Sequence, residues 1–322
     1  MTFDEFAADL PLGRTEWFTS PEALEKVLMD TGVYQPTRQT KRGEFRAGLA
    51  FRATPHAELF ADRYSTSISL HLQTPQNAAG ILIPKSVSGH FIVNGINLAD
   101  DHLLYSPDGA GSDISGPGPI GSDDIAIPRE RFSALLDTLC PSTCLPDEMA
   151  VVEINAPMLR MLGDSIVSLV GADEGELQGE QLPNLIAWIV SLIGHASRSF
   201  RPDDPNGLGA RSRVARNAQE FIEANFHQPV HLENLCRETG VGIRTLQRCF
   251  REYFDLSVTD YIKTVRLDAA YRELKAANGE GNTVTKIALQ NGFTHLGRFS
   301  VAYHVRFGEM PSETLAAMPG TN

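Results

Sequence analysis

From Val214 onward, apolar residues return every three or four positions, the period of an amphipathic helix. Within this segment one pattern is written twice. "GVGIRTLQRCFREYFD" begins at Gly240 and "GFTHLGRFSVAYHVRFG" at Gly292. Leu246, Phe250 and Phe254 correspond to Phe299, Tyr303 and Phe307, and in each copy the large apolar residues fall four apart, so they stack on one helix face. A shorter apolar pair precedes each copy, Leu235-Cys236 and Ile287-Ala288, and a glycine follows each pair. Helix, Gly-containing turn and helix, twice over, is the outline of two helix-turn-helix units. Two ordinary αα-hairpins are the plainer alternative. "VTDYIKTVRLDAAYRELKAA" predicts a long helix joining the copies, with Ser257 as its N-cap, and Pro311 is placed to start a last short helix.

Upstream the pattern differs. Residues 47–128 read as strands: "LAFRA", "SISLHLQ", "GILIP" and "GHFIVNGINL" are short, β-rich and broken by Gly, Pro and Asn. "SPDGAGSDISGPGPIGSDD" reads as a long loop, and the strand spacing suggests an antiparallel barrel or jelly roll. From Pro128 the period turns helical. The most apolar of these helices, "QLPNLIAWIVSLIGHAS", is compatible with plain core and with a helix-to-helix dimer seam. Residues 197–213 are polar, carry Pro and Gly, and lack apolar periodicity. The expected organisation is α+β: a jelly-roll or cupin-like β-barrel with dimerisation helices over 1–196, a linker over 197–213, and an all-α domain of two helix-turn-helix units over 214–322.

Composition changes this picture through charge. The 322 residues carry a net charge of −12, which by itself argues against nucleic acid. The acid is unevenly spread, however. Residues 1–210 hold 14 Lys+Arg against 28 Asp+Glu (14 − 28 = −14), and residues 211–322 hold 14 against 12 (14 − 12 = +2), so the repeat lies in the mildly basic part. Cys236 and Cys249 lie on apolar helix faces and read as core, while Cys140 and Cys144 form a lone CPSTC without a second ligand pair, which is not a zinc pattern. His56, His71, His90 and His102 are scattered, and no G-x-S-x-G, P-loop or Rossmann fingerprint occurs. No enzyme, metal or cofactor is expected. No signal-peptide pattern appears, and the longest apolar run is too short to span a bilayer. A cytoplasmic location without membrane partners is expected.

The residues between the apolar ones of the first copy are Arg244, Thr245, Gln247, Arg248 and Arg251. Arg and Gln make bidentate contacts to guanine and adenine edges in the major groove. Here the chain resembles the DNA-binding domain of the AraC/XylS family of bacterial transcription regulators. "RTLQR.F" stands at Arg244–Phe250, "RL..A" at Arg266-Leu267 and Ala270, "IA...GF" at Ile287–Phe293 and "FG..PS" at Phe307–Ser312. The resemblance covers 214–315. It implies two units in successive major grooves of duplex promoter DNA, an activator that works with RNA polymerase, and a ligand-binding, homodimerising module ahead of them. Gly242 and Asp255 depart from the family's serine and glycine, and Val301 stands where arginine is common. The second unit, through Leu296, Gly297, Arg298, Ser300 and His304, is therefore expected to rely on thymine methyls and on phosphate anchoring by Arg298, His304 or Arg306.

"PTRQTKRGEFRAG" is out of character in an acidic domain, since it gathers Arg38, Lys41, Arg42 and Arg46. Arginine grips phosphate with a planar fork. "RQTKR" resembles the R-x-x-x-R motif of PilZ domains, which bind cyclic di-GMP, and "DISGPG" their [D/N]-x-S-x-x-G motif. The resemblance implies a cyclic-di-GMP-responsive regulator in which Arg38, Arg42 and Arg46 hold phosphate and stack on guanine, and Asp113, Ser115 and Gly118 meet a guanine edge. The competing readings are a catabolic regulator sensing a sugar, amine or small carboxylate, and a jelly-roll enzyme or binding module.

Overall fold

The computed structural model describes every residue except 31–37, 40–43, 142, 144, 146–148, 178, 197–207, 255, 278–282 and 317–322. Arg42, Lys41, Cys144, Asp255 and most of the expected linker lie outside the described residues. The chain forms two compact units, Met1–Gly209 and Ala210–Asn322.

The first unit is built from strands β1 (Thr15–Phe18), β2 (Arg38–Gln39), β3 (Ala47–Ala53), β4 (Glu58–Tyr64), β5 (Ile68–Gln73), β6 (Ala78–Ser86), β7 (Phe91–Val93), β8 (Ile96–Leu98), β9 (His102–Ser106), β10 (Gly111–Gly116), β11 (Ile120–Pro128) and β12 (Ala150–Glu153). Its helices are α1 (Phe3–Phe6), α2 (Pro21–Asp30), α3 (Arg129–Leu139), α4 (Ala156–Gly171), α5 (Glu174–Leu177) and α6 (Gln181–Ala196). One antiparallel sheet has seven strands in the order β1-β3-β4-β11-β6-β9-β12, and a second has five in the order β2-β5-β10-β7-β8.

Strand alternation gives the seven-stranded sheet two faces. On one, Tyr64, Leu82, Leu104 and Ile120 pack against Ile68, Phe91, Val93 and Ile114 of the five-stranded sheet. On the other, Leu59, Ala61, Ile81, Ile125 and Ile127 pack against Leu162 and Ile166 of α4 and Ile186, Ile189 and Ile193 of α6. The unit is thus three layers, sheet on sheet on helices. The apolar face of α6 is spent on this core, with Ile189 only 1% exposed. That corrects the assignment of this face as a dimer seam: one helix face cannot fill the core and pair with a second chain.

The segment expected as a long loop is mostly strand. Gly111–Gly116 forms β10, paired with β5 and β7, and β11 lies between β4 and β6 in the seven-stranded sheet. Tertiary pairing overrides the poor strand propensity of Gly, Ser and Asp. At Gly121 a Cβ would lie 2.0 Å from the Asp62 carbonyl, so only glycine allows that approach.

The second unit contains α7 (Leu208–Asn225), α8 (Leu232–Thr239), α9 (Ile243–Phe254), α10 (Val258–Ala276), α11 (Val284–Gln290), α12 (Leu296–Phe307) and α13 (Pro311–Ala316). Helix α7 begins inside the segment whose composition read as linker. Two cores form around the two copies of the repeat. Leu235, Leu246, Phe250 and Phe254 build the first; Ile287, Ala288, Phe299 and Tyr303 build the second. The connecting helix α10 serves both, giving Tyr261, Ile262 and Val265 to one core and Leu267, Ala270 and Leu274 to the other. Ser257 caps it, accepting the Asp260 amide at 3.1 Å. Gly240 and Gly292 turn the chain within each unit at φ 71° and 78°, the left-handed region that glycine enters without strain.

Candidate nucleic-acid interface and effector cavity

Helix α9 separates its residues sharply. Leu246, Cys249, Phe250, Tyr253 and Phe254 are buried, whereas Arg244, Gln247, Arg248 and Arg251 are exposed and Thr245 is half-buried. Arg248 Nε lies 3.8 Å from Glu252 Oε1, one turn along the helix. Such a solvated pair holds the side chain weakly and leaves it free to reach a base edge.

Helix α12 presents a different face. Leu296 and Val301 are 37% and 65% exposed, beside exposed Gly297, Arg298 and His304. Ser300 is half-buried, and its hydroxyl donates to the Leu296 carbonyl at 3.1 Å. Apolar side chains on a recognition face meet thymine methyls rather than hydrogen-bonding edges. Arg306 is not on this face. Its Nε donates to Asp268 Oδ1 at 2.7 Å and its guanidinium lies 5.5 Å from the Phe307 ring centre. It fastens α12 to α10, which corrects its assignment as a phosphate anchor. Arg298 and His304 keep that role open.

Two structural residues of this unit escape a reading based on faces alone. Arg266 donates through Nε to the Phe226 carbonyl and through Nη2 to the Gln228 carbonyl, both at 2.8 Å. Its partial burial pulls the guanidinium pKa down from its ordinary value. Asp268, two residues on, holds Arg306. The "RL..A" stretch was the signal for them.

In the first unit the expected nucleotide ligands are only partly assembled. Arg38, on β2, stands opposite Ser69 of β5, and Ser69 stands opposite Ser115 of β10, so the three share one cross-strand row. Asp113 carries a 2.6 Å bond to His71 Nδ1. Arg46 donates to Asp4 Oδ1 at 2.7 Å and lies 5.1 Å from the Phe3 ring centre. Gly118 sits in the turn before β11, against the Thr66 carbonyl. Arg38 and Ser115 are brought together, Arg46 is engaged with the N-terminal segment, and Arg42 lies outside the described residues.

A site that sequence reasoning missed lies between the sheets. A cavity of about 80 Å³, open to solvent at its mouth, is lined largely by apolar residues such as Leu49, Phe60, Leu72, Leu82, Leu104 and Ile114. Asp62 and Asp124 face it from neighbouring strands, with Ser122 between them. Asp62 Oδ1 accepts from the Ser122 amide at 2.7 Å and from its hydroxyl at 2.6 Å, and Ser122 Oγ lies 2.9 Å from Asp124 Oδ2. Burial, then the charge of Asp62, pushes the Asp124 carboxyl well above the usual carboxylate range. Burial also raises Asp62, against the opposing bonds of Ser122 and the charge of Arg63.

The opposite face of the same strands is electrically complete. Arg63 and Asp123, both with fully buried side chains, meet at 2.8 Å; Lys85 Nζ lies 3.0 Å from Asp123 Oδ2, and Asp9 also accepts from Arg63. Burial works against the Arg63 charge, but Asp123 and Asp9 outweigh it and raise its pKa. Among the described residues, no group of three His, Cys, Asp or Glu side chains is arranged to hold a metal ion, and no helix is long and apolar enough to cross a membrane.

Two helix-turn-helix units on one connecting helix, each with an exposed recognition helix, define a DNA-binding transcription regulator. Residues 235–317 match a helix-turn-helix domain family. The chain is 35% identical over 160 residues to the XylDLEGF operon transcriptional activator 3 of Pseudomonas putida, covering 47% of each protein. It is 30% identical over 206 residues to the virulence regulon transcriptional activator VirF of Yersinia enterocolitica, covering 61% of this chain and 69% of that one. The crystal structure of a "probable AraC family transcriptional regulator" from Rhodopseudomonas palustris is 38% identical, covering 32% of this chain and 94% of that one with a TM-score of 0.31. The chain belongs to the AraC/XylS family of transcription regulators. It spans less than half the length of the first curated relatives it matches.

Proposed function

We propose that this chain is a cytoplasmic transcription activator that reads duplex promoter DNA with α9 and α12, acts with RNA polymerase as a homodimer, and answers to a small organic effector held in its first unit. The observation that carries the DNA reading is the exposed Arg244/Gln247/Arg248/Arg251 face of α9 over a fully buried apolar face. Helix α9 provides most of the base reading, and α12 adds apolar contacts through Leu296 and Val301. Mobility shifts at fixed salt, on a promoter fragment and on its scrambled counterpart, test it. Arg248→Ala is expected to weaken promoter binding by about 1–3 kcal/mol and scrambled binding far less. Equal affinity of the wild-type chain for both duplexes overturns sequence reading.

The effector reading that the geometry favours is an organic molecule in the cavity between the sheets, because that cavity combines an apolar lining with convergent polar groups. Cyclic di-GMP is the second reading, supported by the Arg38–Ser69–Ser115 row. Arg46 and Asp113 weaken it, since each already has a partner. Calorimetric titration with cyclic di-GMP of the wild-type chain and of Arg38→Ala separates the two. Heat in the wild type that vanishes in the variant supports the nucleotide, and no heat at high micromolar nucleotide removes it.

A further inference from the structure

The cavity between the sheets displays two carboxyls and, among the described residues, no lysine or arginine. Its one basic lining residue, His71, is bonded to Asp113 at 2.6 Å. Arg63 is on the far face of β4, where it is held by Asp123 and Asp9; Lys85 is beside Asp123 as well. Asp123 and Asp124, neighbours in β11, therefore differ in kind. Asp123 has its counter-charges. Asp124 receives only the Ser122 hydroxyl on one oxygen, and its buried Oδ1 has no hydrogen-bond partner among the described residues. A buried carboxylate oxygen left without a partner is costly, and in a native structure such a group asks for a ligand, a proton or an ion.

We infer that the effector is an organic cation, a protonated amine, amidine or guanidine on an apolar body, whose charged head sits between Asp62 and Asp124. This rests on the reading of the cavity as the effector site. The apolar walls formed by Phe60, Leu72, Leu104 and Ile114 take the body. The carboxyl pair takes the head by a charge-assisted hydrogen bond to Asp124 Oδ1 and by the nearby charge of Asp62, whose carboxyl already accepts from Ser122 and Tyr64. Anions are disfavoured, because phosphate or carboxylate would meet two acids and, among the described residues, no lysine or arginine. Two neighbouring buried carboxyls cannot both ionise easily, so the empty site keeps a proton that an arriving cation displaces into solvent.

The test is calorimetric titration of the full chain with 2-phenylethylamine, agmatine, 2-phenylethanol and 3-phenylpropionate, in two buffers of different ionisation heat. One or both cations should bind at least about tenfold more tightly than the alcohol, with proton release seen as a buffer-dependent heat. Asp124→Asn should lose about tenfold in cation affinity, abolish the buffer dependence, and leave the alcohol unaffected or tightened. Because the variant replaces an uncompensated acid with a neutral isostere, it is expected to fold, and its tryptophan fluorescence melt checks this. Preferential binding of 3-phenylpropionate, or equal binding of amine and alcohol, overturns the cation while leaving the cavity as an effector site. If no probe of any charge binds at millimolar concentration, and cavity-filling Leu72→Trp leaves promoter binding unchanged, the cavity reading itself falls.

Discussion

Arg266 Nε and the carbonyl oxygen of Phe226 lie 2.8 Å apart, joining the connecting helix to the turn after α7 across forty positions of sequence. Gly292, at the turn of the second unit, packs on the same guanidinium: a Cβ there would sit 2.8 Å from Arg266 Nε and 2.9 Å from the Phe226 carbonyl. Arg266 thus stands where the two helix-turn-helix units and their joining helix converge. Val265 before it belongs to the first core and Leu267 after it to the second.

Replacing Arg266 with Lys keeps the charge but loses the fork, so urea unfolding of the second unit should show a loss of about 1–2 kcal/mol. Gly292→Ala should cost about 1–3 kcal/mol, from left-handed backbone strain together with displacement of Arg266. If the guanidinium also fixes the angle between the two recognition helices, both variants should bind operators with one base pair added or removed between half-sites more nearly as well as the native operator.

Asp123→Asn should be strongly destabilising, by about 3–5 kcal/mol, because it leaves Arg63 buried with only Asp9 as a full counter-charge. Both tryptophans of the chain, Trp17 and Trp188, lie in the first unit, so their fluorescence during urea unfolding reports that unit.

Asp124→Asn should do the opposite. A carboxyl whose pKa is raised by folding keeps its proton where the unfolded chain has already lost its own. Folding then takes up a proton, and stability falls as pH rises from the ordinary carboxylate range toward the raised value of Asp124. Asp62, Asp123 and Arg63 are the charged groups that act on it. At neutral pH the asparagine variant should gain on the order of 1 kcal/mol and lose much of the downward slope of stability above about pH 4. Unchanged stability at pH 7 and an unchanged slope would argue that Asp124 is not the group responsible.

On α12, Val301→Arg should raise affinity for specific and scrambled DNA alike and steepen the salt dependence by about one unit of log–log slope, as expected of one added phosphate contact. Arg306→Ala should lower the melting temperature of the second unit and leave that slope unchanged, since Arg306 is engaged with Asp268.

Ile189→Glu is expected to unfold the first unit rather than dissociate a dimer. A charge at a site 1% exposed has no partner in the surrounding core. Sedimentation and far-ultraviolet circular dichroism on the same sample distinguish the two outcomes.

The second unit was legible because its information is local. Leu246, Phe250 and Phe254 announce a helix face within nine residues, and Ser257, Gly240 and Gly292 mark their boundaries through backbone preferences that act over a turn. The first unit was less so, for a reason visible at β11. Its Gly, Ser and Asp residues look like a loop because their partners are far along the chain: Asp123 finds Arg63 sixty positions away, and Ser122 finds Asp62 at the same separation. A strand built on such pairings has no local period to detect. The cavity carboxyls went unnoticed for the same reason, since two aspartates become a pair only once β4 and β11 are neighbours. The apolar run of α6 left core and dimer seam both open, because the sheet that covers it is distant in sequence.

The alternation along β11 also bears on how such a regulator changes over generations. Ser122 and Asp124 point to the cavity, while Asp123 and Ile127 point to the helix layer. Neighbouring codons therefore answer to separate selective pressures. If the cavity holds the effector, substituting alternate residues of this single strand would change what binds while leaving the scaffold unaltered.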